Sequence, residues 1–208
     1  MTTGLAADRA ALSSPVAGQQ FYETDTGIMY CYTGSAWRAV SATTAATGGV
    51  LRVVQAVKTD TFASTPGALW TNVVGLSVSI TPYSSSSKFL VTVDLKGSGA
   101  ESATTIRSRL VRDGNPIYVG DAASSRPRSL SMSYGGNTSS DGAKFSVHQM
   151  GGTFLDSPNT AAQITYAVQI GGDTNNLNIF VNRTVNDRDN AYYDGRCASS
   201  LTVMELAA

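Results

Sequence analysis

Residues Ile164 to Gly172 read ITYAVQIGG. Ile164, Tyr166, Val168 and Ile170 take every second position, with Thr165, Ala167 and Gln169 between them. In an extended chain successive side chains point to opposite faces, so this spacing puts four large apolar groups on one face. A helix would scatter the same groups around its axis. The Gly171-Gly172-Asp173 that follows is a turn signal. The stretch predicts a half-buried β-strand, and the pattern recurs on both sides of it.

Upstream, Phe89, Val91, Val93 and Leu95 alternate with Leu90, Thr92 and Asp94. Ile106, Ser108 and Leu110 alternate with Arg107, Arg109 and Val111, and Asp113-Gly114-Asn115 then predicts a hairpin to Ile117 and Val119. Leu76, Val78 and Ile80 form another strand closed by Thr81-Pro82, and Ser84 to Ser87 form a loop. Earlier, Leu51, Val53, Gln55 and Val57 share one face of a strand, and Leu69 to Val74 gives a short, less regular one. Asp121 to Ala143 is rich in Ser, Gly, Arg and Asn, with one weak strand expected at Ser129 to Tyr134. Strands resume at Phe145 to Met150 and Thr153 to Leu155. After Ile170 come Leu177, Ile179 and Val181, a polar excursion from Arg183 to Arg196, and a last strand, Ser199 to Leu206, with Leu201 and Val203 inward.

About eight strands without an amphipathic helix predict an all-β, antiparallel sandwich. One apolar face and one Ser/Thr/Asn face is what half-buried antiparallel strands show. The Cys–Trp–Cys framework of immunoglobulin domains is missing, so a jelly-roll-like sandwich is the expectation for residues 50–208.

The N-terminal quarter follows another pattern. Val16 to Val40, VAGQQFYETDTGIMYCYTGSAWRAV, reads as three short strands, Gln20 to Glu23, Ile28 to Tyr32 and Ala36 to Val40, separated by two glycine turns. Phe21, Tyr22, Tyr30, Tyr32 and Trp37 place five aromatics in about 25 residues. A β-meander of this size buries too little surface to be secure alone, which makes residues 16–40 a candidate docking module. Residues 1–15 are expected as an extended arm, with a weaker helical tendency around Leu5 to Leu12. SATTAATGG, residues 41–49, reads as a linker.

The chain has 208 residues, 42% hydrophobic and 14% charged, with a formal net charge of zero. Globular domains are typically about a quarter charged. Neutrality removes the long-range pull toward nucleic acid or anionic lipid, so neither partner is expected. A hydroxyl-rich neutral surface suits extracellular adhesins and viral shells. Cys31 and Cys197 lack a CxxC partner, and two free thiols are expected. Met1-Thr2-Thr3-Gly4 begins no recognisable secretory signal, and no run approaches the ~18 apolar residues of a membrane span. These features together point to a particle that leaves its cell by lysis.

Residues suited to chemistry are sparse. The single histidine, His148, sits within strand-like sequence and has no nucleophile elbow or cluster of metal ligands to work with, so a structural role is expected. Asp187, Asp189 and Asp194 could ligate calcium, but Arg183, Arg188 and Arg196 interleave with them and predict ion pairs. Arg107, Arg109, Arg112, Arg126 and Arg128 read as solvated residues or inter-subunit salt bridges rather than a nucleic-acid patch. Asn137 and Asn182 begin glycosylation-type triplets, which carry weight only in an exported chain. Tyr134, Tyr192 and Tyr193, in Gly- and Asp-rich surroundings, are candidate glycan contacts. No carboxylate pair suggests a glycosidase, and no cofactor or catalytic residue is assigned.

SPVAGQQFYETDTGIMYCYTGSAWRAV resembles a short module, P-x-x-G-x-x-(F/Y)-Y-(E/D)-T-D-T-G-x-x-Y-x-Y-x-G-(S/T)-x-W, common in tailed-bacteriophage fibre, minor-tail and head-fibre proteins. The matching positions are Pro15, Gly18, the run Phe21 to Gly27, Tyr30, Tyr32, Gly34, Ser35 and Trp37. GLSVSITPYSSSSKFLVTVDL and the terminal RCASSLTVMELAA look, more loosely, like the β-rich C-terminal domains of phage structural proteins. Such domains are often trimeric. The resemblance implies a non-enzymatic virion component, a homotrimer attached to tail or capsid proteins through its N-terminal region, with host cell-surface glycan as a possible target. Tail fibre or receptor-binding appendage is one expectation, capsid decoration or head-fibre protein the other. A carbohydrate-binding module or polysaccharide-degrading spike stands as the alternative of another class.

Overall fold

The computed structural model describes residues 1–40, 48–66, 69–99, 105–134, 144–172 and 178–208. The chain forms two compact units, Met1–Gly49 with Ala207, and Val50–Leu206 with Ala208. Most of the expected linker, together with Leu177, Asn137 and the Gly-rich end of the 121–143 segment, lies outside the described residues.

The first unit contains β1 (Thr2–Gly4), α1 (Ala6–Ala10), β2 (Gln20–Glu23), β3 (Met29–Tyr32) and β4 (Trp37–Ala39). They form one sheet in the order β1-β2-β3-β4. The three expected strands are present, with Gly27 and Gly34 at positive φ in the turns between them. The extended arm is corrected: β1 runs parallel to β2, with Thr2 opposite Phe21 and Gly4 opposite Glu23, and α1 follows. Two carboxylates explain the helix. Asp8 accepts from the Leu5 amide at 2.7 Å and Asp25 from the Ala6 amide at 3.1 Å, satisfying amides that a helix N-terminus leaves unpaired.

The second unit holds β5 (Val50–Lys58), β6 (Phe62–Ser64), β7 (Trp70–Ile80), β8 (Lys88–Gly99), β9 (Thr105–Arg112), β10 (Asn115–Ile117), β11 (Ser131–Tyr134), β12 (His148–Asp156), β13 (Ile164–Gly171), β14 (Ile179–Val181) and β15 (Ser199–Leu206). Four antiparallel pairs nest inside one another: β5 with β15, β7 with β13, β8 with β12 and β9 with β11. Among these eight strands the first pairs with the last, the second with the seventh, the third with the sixth and the fourth with the fifth. That is a long hairpin rolled on itself, the jelly roll. Pairing of β15 with β8 and of β13 with β9 completes two sheets, β5-β15-β8-β12 and β7-β13-β9-β11. The small strands β6, β10 and β14 extend their ends.

The core lies between the sheets and is built from the expected alternations. Phe89, Val91 and Leu95, with Leu201 and Val203 beside them in the same sheet, pack with Ile106, Leu110, Tyr166, Val168 and Ile170 of the other sheet in one buried cluster. Asp113 and Gly114, both at positive φ, make the two-residue turn that sets Asn115 opposite Arg112.

Three local expectations change. Leu51, Val53, Gln55 and Val57 do share a face, but Val54, opposite the buried Val203, and Ala56 supply the side packed on the core. The two strands expected at Leu69 to Val74 and Leu76 to Ile80 form one strand, β7, which starts at Trp70 and is interrupted by a bulge: Ser77 pairs Ala167 and Asn72 pairs Gln169, with Gly75 at positive φ between them. The two strands predicted around Gly151-Gly152 are likewise the single strand β12.

Candidate recognition surfaces

Within the first unit the aromatic residues serve mainly one another. Phe21 is buried, edge-on to Trp37 with ring centroids 6.2 Å apart, and Trp37 lies 5.3 Å from Tyr32. The Arg9 guanidinium covers the Tyr30 ring at 4.0 Å. Phe21 therefore leaves the candidate docking set, while Tyr22, Tyr30, Tyr32 and Trp37 remain half-exposed. Glu23, beside Phe21 on the same face of β2, is also buried; it accepts from Arg9 Nε and from the Thr26 hydroxyl, both at 2.6 Å. Glu23, Asp25 and Thr26 of the ETDTG run thus hold the N-terminal segment in place, a role that residue types alone did not disclose. Among the described residues of this unit only Phe21 and Glu23 are buried, while Met1, Leu5, Val16 and Val40 are exposed.

The outer face of the β5-β15-β8-β12 sheet is nearly uncharged. Register aligns Val53, Met204, Leu90 and Leu155 in one row across the four strands. The next row is Gln55, Thr202, Thr92 and Thr153, joined by hydrogen bonds from Gln55 Nε2 to Thr202 Oγ1 at 2.7 Å and between Thr92 and Thr153 at 3.2 Å. Charge enters with the Asp94–Lys96 pair and with Lys88.

The arginines separate rather than forming a patch. Arg112 Nη1 donates to both oxygens of Asp156, at 2.7 and 2.6 Å, and the Tyr166 hydroxyl donates to Asp156 at 2.7 Å. Burial, reinforced by the Asp156 carboxylate, pushes the Tyr166 phenol far above its ordinary range. Arg109 donates to Gln169 and stacks at 4.3 Å over Trp70, and burial lowers its pKa. Arg107 donates to the Gly172 carbonyl and Arg128 to that of Gly120 at 2.5 Å. His148 stands in β12 opposite Gly97. Cys31 and Cys197 are free thiols, and among the described residues no three metal-ligating side chains converge. No described helix is long and apolar enough to cross a membrane.

The segment between Arg183 and Arg196, which pair as an isolated bridge, carries an open cleft with a mixed polar and apolar lining. Its volume is about 380 Å³, and it is lined by Asp187, Arg188, Asp189, Asn190, Ala191, Asp194 and Arg196. Asp187 pairs with Arg183 at 3.2 Å and Arg196 at 2.8 Å, and Asp194 with Arg188 at 2.8 Å. The Thr184 hydroxyl donates to Asp194 at 2.6 Å, and with Arg188 it holds that carboxyl below the usual carboxylate range. Two of the three acids, Asp187 and Asp194, are thus in the ion pairs with arginine that the sequence predicts. Tyr192 and Tyr193 both belong to this segment and are exposed, whereas Tyr134, also exposed, sits on β11.

No family model matches the chain. No curated protein matches it either. Among solved structures, the VP2 subviral particle of infectious bursal disease virus superposes over 84% of this chain and 40% of its own, with a TM-score of 0.37 and 10% identity. T=1 particles derived from infectious bursal virus give 84% and 39%, with the same TM-score of 0.37 and 11% identity. The chain spans about two-fifths of the length of those capsid chains. The jelly roll rests on strand pairing and not on this likeness.

Proposed function

We propose that the chain is a non-enzymatic structural component of a tailed-bacteriophage virion, a short trimeric appendage of tail-fibre or receptor-binding type. Its N-terminal unit would attach to other virion proteins, and its jelly roll would be displayed outward. One observation carries this proposal: the first unit buries a single apolar side chain, Phe21, among its described residues. Folds of ~40 residues generally need a staple or a partner. The resemblance of Ser14 to Val40 to a phage fibre and head-fibre module supplies the kind of partner. Trimerisation is supported by the neutral outer face around Leu90 and Met204 and by a formal net charge of zero, which leaves copies without mutual repulsion. The same half-built unit would serve a capsid decoration or head-fibre protein equally well, so copy number decides between them.

The test is quantitative mass spectrometry with labelled-particle microscopy on purified virions of the phage that encodes the chain. A few copies per particle at the tail support the appendage; hundreds on the head transfer the chain to the decoration reading. Absence from particles overturns both. Light scattering of the purified protein is expected to give about three times 21.7 kDa.

A further inference from the structure

We propose that the outer face of the β7-β13-β9-β11 sheet binds an organic carboxylate, with Arg107 and Arg109 taking the carboxylate group and Trp70 and Met132 its apolar body. The site goes beyond the appendage reading and does not depend on it. Arginine pairing points to it. Among the described residues Arg9, Arg52, Arg112, Arg183, Arg188 and Arg196 each pair with a carboxylate. Arg38, Arg126 and Arg128 are exposed to water. Arg107 and Arg109 are half-buried, yet no described carboxylate lies within ion-pair distance of either. A guanidinium taken partly out of water loses hydration that only acceptors replace, because it carries five donors and no acceptor. Burial accordingly lowers the Arg109 pKa.

The second observation is geometric. Ile106, Ser108 and Leu110 are buried, so Arg107 and Arg109 leave β9 on its other face, two residues and roughly 7 Å apart. Register sets Trp70, Gly171, Arg107 and Met132 in one row and Asn72, Gln169 and Arg109 in the next. Gly171 has no side chain, and the Trp70 ring lies over it: a Cβ there would come within 3.0 Å of Trp70 Cε3. The same ring carries the Arg109 guanidinium at 4.3 Å. Arg109 Nε donates to Gln169 Oε1 and Gln169 Nε2 to Asn72 Oδ1, both at 2.7 Å. This relay consumes acceptors and leaves the remaining Arg109 and Asn72 nitrogens as donors. Arg107 donates from Nη1 to the Gly172 carbonyl, and its Nε is buried without an acceptor. A stacked guanidinium fork beside a second guanidinium suits a carboxylate. Trp70 and Met132, the latter 65% exposed, close the row with apolar surface. That surface favours a carboxylate on an apolar body over inorganic phosphate, which has no apolar part to place there.

The experiment is NMR on the full-length protein with benzoate as the probe and with glucuronate and inorganic phosphate as comparisons. Benzoate should shift the Trp70 indole and the β9 and β13 amides around Arg107, Arg109 and Gln169, with an affinity on the order of millimolar. Arg107→Gln and Arg109→Gln should each weaken it about tenfold, and Met132→Ala about threefold. Spectra elsewhere should stay as in the wild type, since these side chains lie outside the core cluster. Where an arginine variant fails to fold, Met132→Ala carries the test. Glu101, Asp141 and Asp173 lie outside the described residues, and Glu101→Gln, Asp141→Asn and Asp173→Asn should leave benzoate binding unchanged. A gain on any of these substitutions would show that an acid of the chain itself fills the site, and would overturn the proposal. So would no response to benzoate at tens of millimolar, shifts confined to other regions, binding unchanged in the variants, or a stronger response to phosphate or glucuronate. None of these outcomes bears on whether the chain is found in virions, which the particle census decides separately.

Discussion

Asp156 is the residue on which the sandwich's buried electrostatics turn. It lies on β12, while its partners Arg112 and Tyr166 come from β9 and β13 of the opposite sheet, so three charge-assisted contacts tie the layers together. Asp156→Ala should leave a buried phenol and a half-buried guanidinium unpaired and cost about 3 kcal/mol. Tyr166→Phe removes one hydrogen bond from a pair that survives, and should cost about 1–2 kcal/mol. Denaturant titration that ranks them in the reverse order would remove Asp156 from this role. Asp194 gives a pH signature. Its folded carboxyl is held low by Thr184 and then Arg188, so its contribution to stability is present above the unfolded value of about 3.9 and fades as pH falls through the folded value. Carbon-detected NMR should place its midpoint below the unfolded value of about 3.9, and Thr184→Val should raise it. Partners of this kind were hidden in the sequence. Alternation with Leu201 and Val203 already put Glu205 on the inward face, but its partner Arg52, at 2.7 Å, lies 153 residues away. Only folding brings the two together.

At the scale of elements, alternation located the strands but not always their inner face. Where one face is apolar and the other polar, as in β8 and β13, period two settles orientation. In β5 both faces carry valines, and only pairing with β15 shows that Val54 turns inward and Val53 outward. The Gly-Gly pair that split β12 in the sequence has a steric cause. A Cβ on Gly151 would sit 2.0 Å from the Val93 carbonyl oxygen, so the neighbouring strand approaches too closely for a side chain. Gly151→Ala should therefore cost about 2–4 kcal/mol or prevent folding, through overpacking against backbone. Gly120→Ala, where the added carbon meets nothing within 4 Å, should change stability by less than about 0.5 kcal/mol. Equal melting temperatures for the two variants would contradict the close approach at β8.

Across the whole molecule, burial is distributed unevenly, and the proposed docking role rests on that asymmetry. The large apolar cluster runs from Val73 to Val203 and belongs entirely to the second unit, closed by pairing between its first and last strands. The first unit has Phe21, a buried Glu23–Arg9 pair and a set of half-covered aromatics. Its fold was legible in outline because glycine turns and placed aromatics mark short strands. The clasp through Glu23 and Asp25 was not, because it depends on where residues 1–10 return. Removing residues 1–49 should consequently leave a cooperative β domain whose melting temperature stays within about 3 °C of the full chain, since no member of the cluster is lost. Residues 1–49 alone should show no cooperative transition, because ~40 residues with one buried apolar side chain cannot offset their ordering entropy. In virions assembled with only the truncated chain, that folded domain should be missing from the particle. Truncated protein that still joins the particle would detach the N-terminal unit from docking, and a truncated protein that fails to fold would show that the jelly roll depends on residues outside its own core.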